Sequence, residues 1–130
     1  MAFPVDLKYI EQTETELQVK FPEIFKQRMI INNGGETENE EFQIFPFWDK
    51  SDKKRISRTS NHIGLETKNA KGWKGFPDLS IAIGADGMGN LLILQHQGDG
   101  LLKEEIYLWN HETSFSEMIA KDLVELDQNF

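Results

Sequence analysis

His111 and Glu112, beside Asn110 at the end of an apolar run, are the residues best suited by type to chemistry, and His62 and His96 are the other two histidines. An imidazole next to a carboxylate is a general acid/base pair in outline. Three histidines are enough for zinc, but none are spaced as His-x-x-x-His and the chain has no cysteine to complete such a site. Hydrogen-bonded or solvated histidines are the simpler reading. Asp86-Gly87-Met88-Gly89-Asn90 sets oxygen donors at short spacing, as a calcium loop does, but lacks the bidentate Glu that closes one. It reads as a tight turn. Gly84, Gly87 and Gly89 lead from one strand-like run into another, whereas a phosphate loop must open a helix to use its dipole. A Cys nucleophile and a Gly-x-Ser-x-Gly elbow are both missing, and Ser51, Ser57, Ser60, Ser114 and Ser116 fall where helix capping accounts for them. No motif argues for an enzyme, a metal or a cofactor.

The other chemistry on offer is electrostatic. Lys53, Lys54, Arg55, Arg58, Lys68 and Lys71 crowd one segment, flanked by Trp48 and Trp73 as possible stacking groups for nucleic acid. Against that stands a formal net charge of −8 over 130 residues, with segment totals of −5 for 1–48, +5 for 49–75 and −8 for 76–130. Nucleic-acid binders draw much of their affinity from neutralising phosphates, so the acidic total disfavours that class. An acidic surface steers basic partners, and a basic nuclease toxin is one such partner. Arg55 and Arg58, three apart, either face a partner together or pair with carboxylates of the flanking segments.

The length and the 38% hydrophobic, 28% charged composition are those of one ordinary globular domain spanning 1–130. The missing cysteines exclude a disulfide-stapled secreted scaffold. Asp6, Lys8, Glu11, Glu14 and Glu16 interrupt the start of the chain, so no signal peptide or membrane span is expected and the cytoplasm is the simplest location.

Asp6 is a good N-cap for a first helix whose buried stripe is Tyr9, Ile10, Thr13, Leu17 and Phe21, with Glu11, Glu14 and Glu16 on the other face. Pro22 can open a second helix burying Phe25, Met29 and Ile30 and stopping at Asn32-Asn33-Gly34-Gly35. Phe42 to Phe47 reads as a strand with Pro46 near its end. A third, basic helix is expected from a cap at Ser51 or Asp52 to Gly72, with Ile56, Thr59, Ile63 and Ala70 on its apolar side. Ile81-Ala82-Ile83, Leu91 to Leu94 and Ile106 to Trp109 are the remaining strands, joined by glycine-rich turns. Ser114-Phe115-Ser116-Glu117 has the form of a capping box for a last helix burying Phe115, Met118, Ile119, Leu123 and Leu126. Helices first, strands in the middle and a helix last give an α+β domain.

Glu14-x-x-Leu17-x-x-x-Phe21-Pro22-x-x-Phe25 with Asn33-Gly34-Gly35 is followed by Phe45-Pro46-Phe47 and then by Lys54-Arg55-Ile56-Ser57-Arg58-Thr59-x-Asn61-x-Ile63. Ile81-Ala82-Ile83-Gly84 with Asp86-Gly87-x-Gly89-Asn90 and Ile106-Tyr107-x-Trp109-x-His111-Glu112 come after these. In this order the segments resemble the SUKH superfamily, which includes the fungal Smi/Knr-type cell-wall regulators and many bacterial immunity proteins. Gln18 stands where the family often has Gly, and Phe21 where it often has Leu. The resemblance implies a mixed, mostly antiparallel sheet flanked by N-terminal, central and C-terminal helices. It implies a protein that binds other proteins, with no catalytic site to carry over. In bacterial members that role is immunity against a cognate toxin, and in the fungal relatives it is regulatory scaffolding. The acidic loop with Glu38, Glu40 and Glu41 and the sheet-end residues Asp86, Asp99 and Glu112 are the expected partner-binding set. An unrecognised hydrolase using His111 and Glu112 is the least favoured reading.

Overall fold

The structure, a computed structural model, describes residues 2–37 and 40–129. The order is α1 (Leu7–Leu17), α2 (Glu23–Ile31), β1 (Gly35–Glu36), β2 (Gln43–Ile44), α3 (Lys53–Arg58), α4 (Ile63–Ala70), β3 (Ile81–Ala85), β4 (Leu91–Gly98), β5 (Leu101–Trp109), β6 (Ser116–Ala120) and α5 (Leu123–Asn129). The six strands form one sheet in sequence order, every neighbouring pair antiparallel. The parallel component expected of a mixed sheet is reduced to a single bridge between Lys20 and Leu101. The α+β class is as the element order implied.

Consecutive residues of β3 and β4 are buried, so both faces of the sheet's centre are covered. On one of them α4 packs against β3, where the Thr67 hydroxyl accepts from the Ala82 N–H at 2.9 Å. Phe21, Phe25 and Phe47 close the core between α2 and the sheet with centroids 5.1 to 6.0 Å apart. Trp109, fully buried, meets Phe76 edge-on at 5.3 Å and donates its indole N–H to the Gly75 carbonyl. Asn33 clamps the chain after β2, accepting from the Phe47 N–H and donating to the Phe47 carbonyl at 2.8 and 2.9 Å.

Asp6 caps α1 as its position predicts, accepting from the Lys8 N–H. Glu14, however, is not on the solvent face. It is buried, accepts from the Phe21 N–H at 2.8 Å and has the Lys26 ammonium at 3.5 Å. The carboxylate thereby holds the turn that carries the chain from α1 into α2, at a residue, Gln18, forced into the left-handed region with φ 58°. The Asn-Asn-Gly-Gly run ends α2, and its last glycine opens the two-residue strand β1. The strand expected over 42–47 pairs regularly at Gln43–Ile44 alone, with Phe45 adding one bond to Ile83.

Two helices differ from expectation. The basic helix is two short ones, because the Thr59 hydroxyl donates to the Arg55 carbonyl and accepts from the Asp49 N–H, closing α3. Ile63 then donates its N–H to the Pro46 carbonyl, and the His62 ring accepts from the Leu65 N–H to start α4 afresh. The second difference is at Ser114, which begins no helix. Its φ is +62°, and Asn110 captures the Glu112 and Thr113 N–H groups to make a hairpin turn instead. Ser116–Ala120 pairs with β5, leaving Phe115 and Met118 exposed. A cap forms further on, where Asp122 accepts from the Glu125 N–H and Glu125 reaches back to accept from the N–H of Lys121, the residue before the cap. Leu123 and Leu126 are buried, as expected of that final helix.

Candidate partner-binding site

A sequential antiparallel sheet returns alternate turns to the same end. The β1–β2, β3–β4 and β5–β6 turns therefore share one rim, which spans roughly 20 Å at about 4.8 Å per strand. Glu40 and Glu41 lie on the first of these turns, Asp86 opens the second and Glu112 sits on the third. Four of the six expected partner residues thus meet at one edge. Exposed Met88 and Phe115 stand on the second and third turns, adding apolar area to the same rim. Glu38 lies outside the described residues. Asp99 is on the β4–β5 turn at the opposite end, roughly 25 Å away along β5, where Lys20 pairs with Gly100 and Leu102. It does not share a surface with the others.

The rim is stiffened by its own hydrogen bonds. Asp86 Oδ1 accepts from the Met88 and Asn90 N–H groups, and its Oδ2 accepts from Asn90 Nδ2 at 2.9 Å. That fixes the Asn90 amide so that its Oδ1 faces His111, accepting from the backbone N–H and lying 2.8 Å from Nδ1. A carbonyl oxygen there requires a proton on Nδ1, which leaves Nε2 as the lone-pair nitrogen of neutral His111, 3.8 Å from Glu112. Gly89 permits this closeness, because a Cβ at that position would fall 2.8 Å from the His111 ring. The acid/base pair seen in the sequence is real as a juxtaposition. Its ring is spent, however, on tying the β3–β4 turn to the β5–β6 turn.

A second feature escaped the sequence. A cleft of about 700 Å³ opens along the β1 edge of the sheet, between the N-terminal segment, the end of α2 and α3. Arg28 belongs to its wall but is saturated, forming a forked pair with Asp127 at 2.8 and 3.2 Å and donating to the Asn32 and Gly34 carbonyls. Arg55 pairs with Asp52 at 2.7 Å and lies 3.7 Å from buried Asp49. Arg55 is therefore paired internally, but with carboxylates of its own segment and not with those of the flanking acidic segments. Arg58 makes no ion pair or hydrogen bond among the described residues. Lys54, Arg55 and Arg58 all lie over the Phe3 ring, at 5.5, 4.6 and 4.8 Å from its centroid.

Two perturbed groups border these features. The Asp52 carboxyl is lowered by the N–H and guanidinium of Arg55. His62, expected mid-helix, is instead the cap of α4, stacked on Trp48 at 4.7 Å. Partial burial lowers its pKa and Lys50 adds to that, against the attraction of Glu16. Among the described residues no cluster of three or more His, Asp or Glu is arranged to hold a metal ion, and no helix is long and apolar enough to cross a membrane.

An antiparallel sheet backed by helices, with carboxylates gathered on one rim, makes this an α+β domain. The chain belongs to the SMI1 / KNR4 family (SUKH-1), whose model matches residues 4–127. No curated protein and no solved structure matches it.

Proposed function

We propose that this protein is a bacterial immunity protein, acting without catalysis in the cytoplasm of the producing cell by binding and blocking a cognate toxin. The observation that carries the reading is the convergence of Glu40, Glu41, Asp86 and Glu112 on one rim beside exposed Met88 and Phe115. Family membership supports a protein partner. The formal net charge of −8 favours a basic one, such as a nuclease domain. Carboxylates steer the encounter, while Met88 and Phe115 supply the apolar anchors that a lasting complex needs at its centre. The tied turns lower the cost of docking, because Asn90 and His111 already hold the rim in one shape.

The test is growth rescue. Toxin domains encoded beside this gene are expressed with and without the protein. Rescue by the wild type that is lost on combined Glu40→Lys, Glu41→Lys and Glu112→Lys substitution is the expected outcome. Equal rescue by the charge-reversed variant would remove the rim from the interface. Absence of any neighbouring toxin, with no rescue, would move the weight to regulation of an endogenous partner.

A further inference from the structure

We propose that the cleft along β1 is a second binding site, separate from the rim, and that it takes an acidic peptide segment with Arg58 as its anchor. Three observations carry this. First, Lys54, Arg55 and Arg58 converge on one aromatic ring, yet among the described residues the only carboxylates paired with the three are Asp49 and Asp52, both on Arg55. Lys54 and Arg58 thus share one ring with no ion pair of their own, and an anion supplied from outside relieves their repulsion. Second, Arg58 lies over Phe3 and makes no hydrogen bond among the described residues, so its N–H donors are available to grip a carboxylate in a fork. Third, the remaining lining suits a polypeptide. Asn32, Gln43 and Asn61 offer side-chain amides with no hydrogen-bond partner among the described residues, each able to donate and accept as a peptide backbone does.

The charge bookkeeping of the cleft also selects the ligand. Arg28 and Arg55 have their ion pairs with Asp127, Asp49 and Asp52, so among the described residues the cations here that carry no ion pair are Arg58, which lines the cleft, and Lys54, which shares the Phe3 ring with it. Glu36 lines the same cleft. That suits one or two carboxylates on a short segment. A long phosphodiester backbone would run onto Glu36 and the acidic rim beyond it.

The probe is a fluorescein-labelled short peptide with two Glu in an otherwise uncharged sequence, titrated at low salt and followed by fluorescence anisotropy. Saturable binding by the wild type is expected, weakened about tenfold or more by Arg58→Glu and only partly by Arg58→Lys, which keeps the charge and loses the fork. The rim variant carrying Glu40→Lys and Glu41→Lys should bind the peptide no worse than wild type, which separates this site from the toxin-binding rim. Circular dichroism confirms that the exposed Arg58 substitutions leave the fold intact. Unsaturable binding by the wild type, or equal binding by Arg58→Glu, would overturn the proposal. So would tighter binding of a single-stranded oligonucleotide of equal charge.

Discussion

Glu14 is the residue whose replacement tests the fold most sharply. Its carboxylate is 2% exposed, accepts the buried Phe21 N–H at 2.8 Å and lies 3.5 Å from the Lys26 ammonium, itself 17% exposed. Glu14→Ala removes both partners at once. An orphaned buried N–H costs about 1–3 kcal/mol. Stripping a buried ion pair of one member costs about 3–5 kcal/mol, a range that already includes part of the first loss. Lys26 is left with Glu23 at 3.8 Å, an exposed partner worth at most about 1 kcal/mol. The expected destabilisation is therefore about 3–5 kcal/mol, a large share of the roughly 5–15 kcal/mol that holds such a domain together. Urea unfolding followed by the fluorescence of buried Trp109 reads it as a fall in midpoint of roughly 2 M at an unchanged slope of about 2 kcal/mol per molar. Glu14→Gln keeps an acceptor for Phe21 and loses only the charge, so it should fall between the two. Adding Lys26→Met to Glu14→Gln should cost little more. A Glu14→Ala protein within about 0.5 kcal/mol of wild type would refute the claim that this carboxylate organises the α1–α2 turn.

Gln18 occupies a left-handed position, so Gln18→Gly should stabilise the protein by about 0.5–1 kcal/mol, the relief of strain exceeding the added chain entropy. Thermal unfolding should show a rise of roughly 2–4 °C. His62 accepts a backbone hydrogen bond with its Nδ1 and has a lowered pKa, so the unfolded chain takes up its proton first as pH falls. Stability should therefore decline below about pH 6.5, the ordinary value for this ring, and be retained above it. His62→Asn keeps a capping acceptor that does not titrate, and its urea midpoint should fall less than that of wild type between pH 7.5 and 5.5. Equal falls would show that His62 carries no such linkage.

Much of the scaffold was legible because local signals and burial agreed. Asp6 with the Tyr9-to-Leu17 spacing gave α1, and the unbroken apolar runs at 81–83 and 91–94 gave the doubly covered strands. Glu14 was misplaced by its residue type alone. Ile10, Thr13, Glu14 and Leu17 follow the i, i+3, i+4, i+7 pattern, so its spacing already put it on the inward stripe. Thr59-Ser60-Asn61 was a breaker cluster inside the basic helix that outweighed the continuing charge pattern. Ser114 to Glu117 matched a capping box, but Asn110 and the ladder to β5 won that segment, and Asp122 with Glu125 provided the same pattern eight residues later. The rim followed from the order of hairpins, which put Asp99 at the wrong end for it. The cleft had no local signature. Phe3 meets Arg55 and Arg58 across fifty residues of chain, and only the folded packing of the N-terminal segment against α3 brings them together.

Whether the acidic rim holds a toxin is tested most directly by capture from the native cell. Tagged wild-type protein and the Glu40→Lys, Glu41→Lys, Glu112→Lys variant are used as paired baits, and the retained proteins are identified by mass spectrometry. The expected result is a basic toxin domain held by the wild type and absent from the variant. The same proteins on both baits, or endogenous regulators alone on the wild type, would contradict it.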